Sequence, residues 1–579
     1  MRALISFFLS LAIIMPAGAQ GPAAADRDTP IYDAAARHQP VVAAGGMVVS
    51  QEALASRIGA DILARGGNAV DAAVAVGFAL AVTLPRAGNL GGGGFMLVHL
   101  AQEGRTIAID YREMAPAAAT RDMFLGPDGK VDQQKSRFSH QAAGVPGTVA
   151  GLLHALERYG TMSVADVIAP AIKLAADGMT VSYDLAQALT RARERLAASD
   201  AAAAIFLPRD GAPPRPGDTL VQSDLAWSLG QIRDHGRDGF YGGALAARIA
   251  ADMRAHGGLI TEADLAAYRV AEREPVKGSY RGHDVVLMPP PSSGGVHVLQ
   301  ILNTIEADDV AAMGAGSANA IHLLAEAMKQ AYADRAEYLG DPDFIDVPVA
   351  ALIAKDYGAR IRQAIDMTRA RPAAAIGPGL NLSPESPQTT HFSVMDRAGN
   401  AVANTYTLNF SYGSGRAAAG TGILLNNEMD DFAAKEGVPN AFGLLGDDAN
   451  AIAPGKRPLS SMTPLIVMKN GKPWLVSGTP GGSTIITTMV QVIVNMVDFG
   501  MNAADAAAAP RFHHQWRPDR LMIEPGFSPD TLRLLQARGH DLFPRNFVWG
   551  AVQSVVHEHG LFFGAADPRR PASLAVGVE

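Results

Sequence analysis

With 579 residues, a net charge of −8 and a pI near 6.0, the chain shows no basic clustering of the kind a nucleic-acid binder uses. Apolar residues make up 48% and charged residues 18%, which allows a sizeable core and excludes global disorder. Cysteine is absent, so disulfides, thiol nucleophiles and thiolate metal sites are all excluded. The length suits several ordinary domains or one large α/β enzyme.

Residues 1–19 read as a secretory signal: Arg2 gives the positive start, Leu4 to Met15 the apolar run, and Ala17-Gly18-Ala19 a small-residue cleavage site. The run is too short for a membrane anchor, and no later segment has an apolar span of membrane length. The expected location is therefore outside the cytoplasm, in the periplasm. After a lead-in at Pro22 to Ala25, apolar residues at helical spacing predict a helix from Ala53. Gly66-Gly67 break it, and Asn68 is placed to cap a second helix running through Asp71 to Leu84, before Pro85.

Gly91 to Gly94 precede an apolar strand, Phe95 to Leu100. The lysine tail of a phosphate loop is missing, as is the GxGxxG-then-helix context, so close backbone packing is the expected role. A strand at Thr106 to Tyr111 delivers Arg112. An arginine there usually serves the surface or a salt bridge; a planar, permanently charged fork also suits a carboxylate ligand. Helices are predicted over 147–159, 164–178, 185–198 and 244–256, without an internal repeat. Pro289 to Gly295 turn into another at 296–305, and a further helix covers 318–340. Residues 369–388 form a proline-rich loop.

After this loop the segment 388–409, QTTHFSVMDRAGNAVANTYTLN, reads as a β-hairpin. Thr405, Thr407 and Asn409 fall two apart on one face of the second strand. Pairing Asp396 with Asn400, with Gly399 in the left-handed position, places Thr389 opposite Thr407. Cross-strand threonine pairs are common and usually structural. Further on, Leu475 to Ser477 predict a strand, Gly478 to Ser483 a turn, and Thr484 to Val497 an apolar helix. The N–H groups of Gly481 and Gly482 then lie at a helix N-terminus, where an anion is favoured, although the turn could serve chain reversal alone. Asp430-Asp431 and His513-His514 lack metal-ligand companions at the right spacing, so no metal and no cofactor are expected.

QTTHFSVMD, NNEMDDF, RPLSSMTP and GTPGGS follow one another between Gln388 and Ser483, with DYREMAP upstream. Each resembles the corresponding segment of the γ-glutamyltranspeptidases. The resemblance covers nearly the whole chain after residue 19, weakly over 180–250. It implies an α/β (α+β) fold, the four-layer αββα sandwich of N-terminal nucleophile hydrolases. It also implies self-cleavage between Gln388 and Thr389, giving a large product 20–388 and a small one 389–579 that stay together as a heterodimer. An N-terminal threonine can act as nucleophile and base at once, since its α-amine, with a pKa of about 8, accepts the hydroxyl proton.

By the same resemblance Thr389 forms a γ-glutamyl ester from glutathione or a related compound. Water, an amino acid or a peptide then takes the acyl group. Thr407 would orient Thr389, and Gly481 and Gly482 would hold the oxyanion. Arg112, Ser460 and Ser461 would bind the substrate carboxylate, with Asn409, Glu428 and Asp431 meeting its ammonium across the pocket. The sequence departs from many members at Phe442, where a lid tyrosine is usual; Glu428 stands where some carry glutamine. A cephalosporin (glutaryl-β-lactam) acylase shares fold, cut and nucleophile, but its acyl group lacks the ammonium that Asp431 would meet. An uncleaved, exported γ-glutamyl-binding protein is the reading of a different class.

Overall fold

The computed structural model describes residues 36–377, 389–435, 437–438, 440–441, 443–446, 448–545 and 548–579. The signal reading of 1–19, Gln388 and Phe442 therefore lie outside the described residues. Among the described residues no helix is long and apolar enough to cross a membrane.

Two seven-stranded sheets form the centre. One runs in the order Leu574–Val578, Gly46–Ser50, Thr390–Asp396, Ala401–Thr407, Gly93–Leu100, Arg105–Tyr111, Ala271–Arg273. The other runs Val41–Ala43, Leu561–Ala566, Gln553–Glu558, Lys472–Gly478, Leu465–Lys469, His283–Leu287, Val276–Tyr280. Every pairing in both is antiparallel.

The two-residue period of the strands builds the layers. Phe392, Val394, Val402 and Tyr406 point into a core shared with the helices Ala53–Ala64, Ala69–Thr83 and Thr148–Tyr159. Met395, Ala401 and Ala403 point the other way, into a core that takes in the second sheet and the helices Gly294–Ile305, Ala318–Tyr338 and Thr484–Val497. Helix, sheet, sheet and helix give the four-layer αββα sandwich expected from the sequence.

Local chemistry explains why the elements start and stop where they do. The Asn68 side chain accepts from the N–H of Val70 and Asp71, and Asp71 answers on the Asn68 N–H at 2.8 Å, a closed capping box. All fifteen residues of the helix behind it are buried, so this single segment forms a hydrophobic pillar under the hairpin. The glycine run before Phe95 packs as expected. A Cβ on Gly92 would lie 1.9 Å from the Thr407 carbonyl oxygen, and Asn89 Nδ2 donates to that same oxygen at 2.9 Å. The run thereby fixes the end of the hairpin from the neighbouring strand.

The hairpin register is the predicted one: the Asp396 N–H donates to the Asn400 carbonyl at 3.1 Å, Gly399 has φ +91, and Thr390 opposes Tyr406. Its second strand is shorter than predicted, ending at Thr407. Asn409 turns to φ +73 and donates its N–H to Thr407 Oγ1 at 2.9 Å instead of to a neighbouring strand. Asparagine tolerates this left-handed backbone better than most residues.

Candidate active site

Thr389 stands at the mouth of the hairpin, on the face turned toward the second sheet. Its Oγ1 donates to Thr407 Oγ1 at 3.3 Å. One step deeper on that face, His391 Nδ1 meets Thr405 Oγ1 at 2.8 Å, and its Nε2 meets Ser393 Oγ at 3.0 Å. Burial pushes the His391 pKa down to about 3, so the ring is neutral, and its hydrogen bonds run to Thr405 and Ser393 instead of to Thr389.

A pocket opens over the threonine pair. Its wall includes Thr389, Thr407, Asn409, Arg112, Glu428, Asp431, Ser460, Ser461 and Gly482, which unites all but one of the described residues picked out from the sequence. Gly481 sits immediately behind, in the turn. Gly481 has φ +153 and Gly482 φ +52, and among the described residues neither N–H has a hydrogen-bond partner. Their carbonyls, by contrast, accept from Thr484 N–H at 3.0 Å and Ile485 N–H at 3.2 Å, closing the first turn of the helix Thr484–Val497. Two donors left open at a fourteen-residue helix start are suited to a developing oxyanion.

The charges are arranged differently from the expectation of opposite walls. Arg112 donates directly to Glu428 and, at 2.5 Å, to Asp431, with Glu113 at 3.6 Å. Burial works against the Arg112 cation, but the carboxylates around it outweigh this and hold it firmly protonated. Burial also raises all three acids, Glu113 to about 7, against the pull of the Arg112 guanidinium. Cation and anions therefore interdigitate, and an incoming zwitterion would exchange ion pairs with them. Asn409 is committed through Nδ2 to the Asn427 carbonyl at 2.9 Å.

Ser460 and Ser461 are held by the turn at Pro289 to Gly295. Ser460 N–H donates to the Pro291 carbonyl at 2.8 Å, while Ser293 donates to the Ser460 carbonyl through its N–H (2.8 Å) and its Oγ (2.7 Å).

Sequence reasoning missed Arg335. It lies in the pocket wall, buried, donating from Nε to Ser293 Oγ at 2.9 Å and from Nη2 to Ser461 Oγ at 3.2 Å. A signal existed: Met328, Ala331, Tyr332 and Arg335 follow i, i+3, i+4, i+7 spacing, which puts one arginine in an otherwise apolar helical stripe. The His513 and His514 pair is buried and directed to Thr487, Gln515, the Trp516 N–H and Asp519, away from the pocket.

The sequence profile of the family described as Gamma-glutamyltranspeptidase matches residues 55–577. A glutathione hydrolase proenzyme of Escherichia coli (strain K12) is 56% identical over 540 residues, 93% of each chain. The acylase ACY 1 proenzyme of a Pseudomonas species (strain SE83) is 40% identical, over 93% of this chain and 94% of the other. Among solved structures, the cephalosporin acylase from Bacillus halodurans superposes with a TM-score of 0.84 at 29% identity, covering 96% of this chain and 99% of that one.

Proposed function

Since the chain belongs to the gamma-glutamyltranspeptidase family and is a γ-glutamyl-transferring, glutathione-hydrolysing enzyme, we propose that Thr389 is both the point of self-cleavage and the nucleophile. The observation that carries this reading is the Thr389–Thr407 hydroxyl contact, opening into a pocket rimmed by Gly482, Arg112, Glu428 and Asp431.

In the first reaction Thr389 Oγ adds to the Gln388 carbonyl and the C–N bond breaks. The acyl group passes from nitrogen to oxygen, and water hydrolyses the ester, leaving a free α-amine on Thr389. That amine then takes the hydroxyl proton as Oγ attacks the γ-amide of a donor such as glutathione. The C–N bond breaks, the leaving amine receives a proton, and a γ-glutamyl ester remains. Water or the amine of an amino acid or peptide attacks the ester, releasing glutamate or a new γ-glutamyl compound.

The Gly481 and Gly482 N–H groups stabilise the oxyanion in each half-reaction, and Thr407 orients the nucleophile. The substrate carboxylate takes Arg112, Ser460 and Ser461, while its ammonium takes Asn409, Glu428 and Asp431. The products 20–388 and 389–579 remain a heterodimer because both contribute strands to both sheets. Removal of the segment 1–19 on export to the periplasm completes the maturation.

An acylase for glutaryl-β-lactams is the second reading, favoured by the 0.84 superposition. The higher identity to glutathione hydrolases and the presence of two carboxylates, Glu428 and Asp431, in the pocket wall support the first. Intact mass of the purified protein under denaturing conditions, beside Thr389→Ala, tests the proposal. Two fragments meeting at Gln388/Thr389 in the wild type and one unbroken chain in the variant are expected; an unbroken chain in both overturns it. Paired assays on γ-glutamyl and glutaryl p-nitroanilides separate the two substrate classes.

A further inference from the structure

Six arginines are buried among the described residues: Arg86, Arg112, Arg137, Arg335, Arg457 and Arg511. Five have carboxylate partners: Arg86 with Asp184, Arg112 with Asp431, Arg137 with Asp430, Arg457 with Asp343 and Arg511 with Asp567. Arg335 alone has none within ion-pair distance among the described residues; its hydrogen-bond partners are two serine hydroxyls. A buried guanidinium without an anion in direct contact is costly, and this one lies in the pocket wall, with Asp431 attracting it only from beyond ion-pair distance. The positive charge of Arg112 is met by Glu428 and Asp431 until a substrate exchanges with them, whereas Arg335 has no contacting carboxylate to give up.

The hydrogen bond to Ser461 gives this charge a direction. Because Ser461 Oγ accepts from the Arg335 guanidinium, its own hydrogen remains available for another acceptor. A guanidinium donating to the oxygen also makes that O–H a stronger donor. The second contact, to Ser293 Oγ, anchors the guanidinium on the same turn that holds the Ser460 backbone.

We propose that Arg335 is a positioning residue for the α-carboxylate of the γ-glutamyl donor, acting through the Ser461 hydroxyl. This rests on the functional reading above. It accounts for selectivity between donors with and without an α-carboxylate.

The test compares γ-glutamyl p-nitroanilide with 4-aminobutanoyl p-nitroanilide, which differ only in that carboxylate, on the cut enzyme. Arg335→Met raises KM for the first by about 10- to 100-fold, the range for loss of one charge-assisted hydrogen bond, and changes kcat less than about threefold. Its kcat/KM for the second stays within about twofold, and Arg335→Lys recovers most of the KM. In a Ser461→Ala background the Met substitution adds less than about threefold, because the route through Ser461 is gone.

Equal losses on both substrates, full additivity with Ser461→Ala, or an unchanged KM in a properly cut Arg335→Met enzyme would each overturn the proposal. Should Arg335→Met not fold, Arg335→Gln, which keeps a hydrogen-bond donor and drops the charge, carries the test: a KM increase confined to the γ-glutamyl substrate supports the proposal, and an unchanged KM or an increase shared by both refutes it. Intact mass read alongside keeps the two claims apart, since an uncut wild-type chain counts against the Thr389 reading and not against the Arg335 one.

Discussion

Replacing Thr407 by valine keeps the shape of the side chain and removes its oxygen. In the structure that oxygen receives the Thr389 hydroxyl at 3.3 Å and the Asn409 N–H at 2.9 Å. The first contact is long for O–H···O, so it is worth only about 0.5 kcal/mol in the resting state. As Thr389 Oγ gives up its proton and attacks, it can only accept, so the Thr407 hydroxyl turns to donate to it and the contact becomes charge-assisted, worth about 1.5 to 3 kcal/mol. The difference, about 1 to 2.5 kcal/mol, corresponds to a loss of roughly 5- to 70-fold in the rate of each acyl transfer. Orphaning the Asn409 N–H should separately lower stability by about 1 to 3 kcal/mol.

Self-cleavage followed by intact mass over time, and γ-glutamyl p-nitroanilide turnover by the fraction already cut, both report this loss. Thr407→Ser, which restores the oxygen, should remain within about threefold of wild type. A Thr407→Val chain that cuts and turns over within twofold of wild type would refute an orienting role for Thr407.

Gly482→Ala forces an L side chain to φ +52 and tilts an open donor, so kcat should drop by about 100- to 1000-fold with little change in KM; a kcat near wild type would remove Gly482 from the oxyanion site. Glu113 is raised by burial, against the pull of Arg112, from 4.5 to about 7. Its folded state holds the proton more tightly than the unfolded one, so the stability it contributes is full below pH 4.5 and is lost as pH rises through about 7. The thermal midpoint of Glu113→Gln should therefore gain on the wild type between those pH values and hold a constant lead above them; a gap that does not vary with pH would contradict this. Gly478→Ala brings a methyl within 2.3 Å of the buried His391 ring and should cost about 1 to 3 kcal/mol or more. Gly230→Ala, in open space on the helix Ser223–His235, should instead raise the midpoint by about 0.5 to 1 kcal/mol of stability, as calorimetry of the two variants can check.

The hairpin could be read from sequence because its register is set locally, by Asp396, Gly399 and Asn400. The helix at Ala69 was legible for the same reason, since Asn68 and Asp71 cap it within four residues. The pairing of Arg112 was not: Glu428 and Asp431 lie 316 and 319 positions away, and chemistry that suits a substrate carboxylate suits their carboxylates equally well. Arg335 escaped because its partner Ser461 is 126 positions distant and its neighbours on the helix read as core. Strands such as Gly46–Ser50 are buried along their whole length, so they lack the polar alternation that betrays a strand with one wet face.

The strand orders of the two sheets have one further consequence. In the hairpin sheet Gly46–Ser50 lies between Leu574–Val578 and Thr390–Asp396, and Gly93–Leu100 follows Ala401–Thr407, so segments from either side of residue 389 are interleaved. A molecule cut there could separate only by exposing the ladder hydrogen bonds of several inner strands at once. Its two pieces would be partners for life: mixing isotopically heavy and light populations of the mature protein should yield no hybrids. A damaged piece could not be replaced from a neighbouring molecule, so each copy would work or fail as a whole.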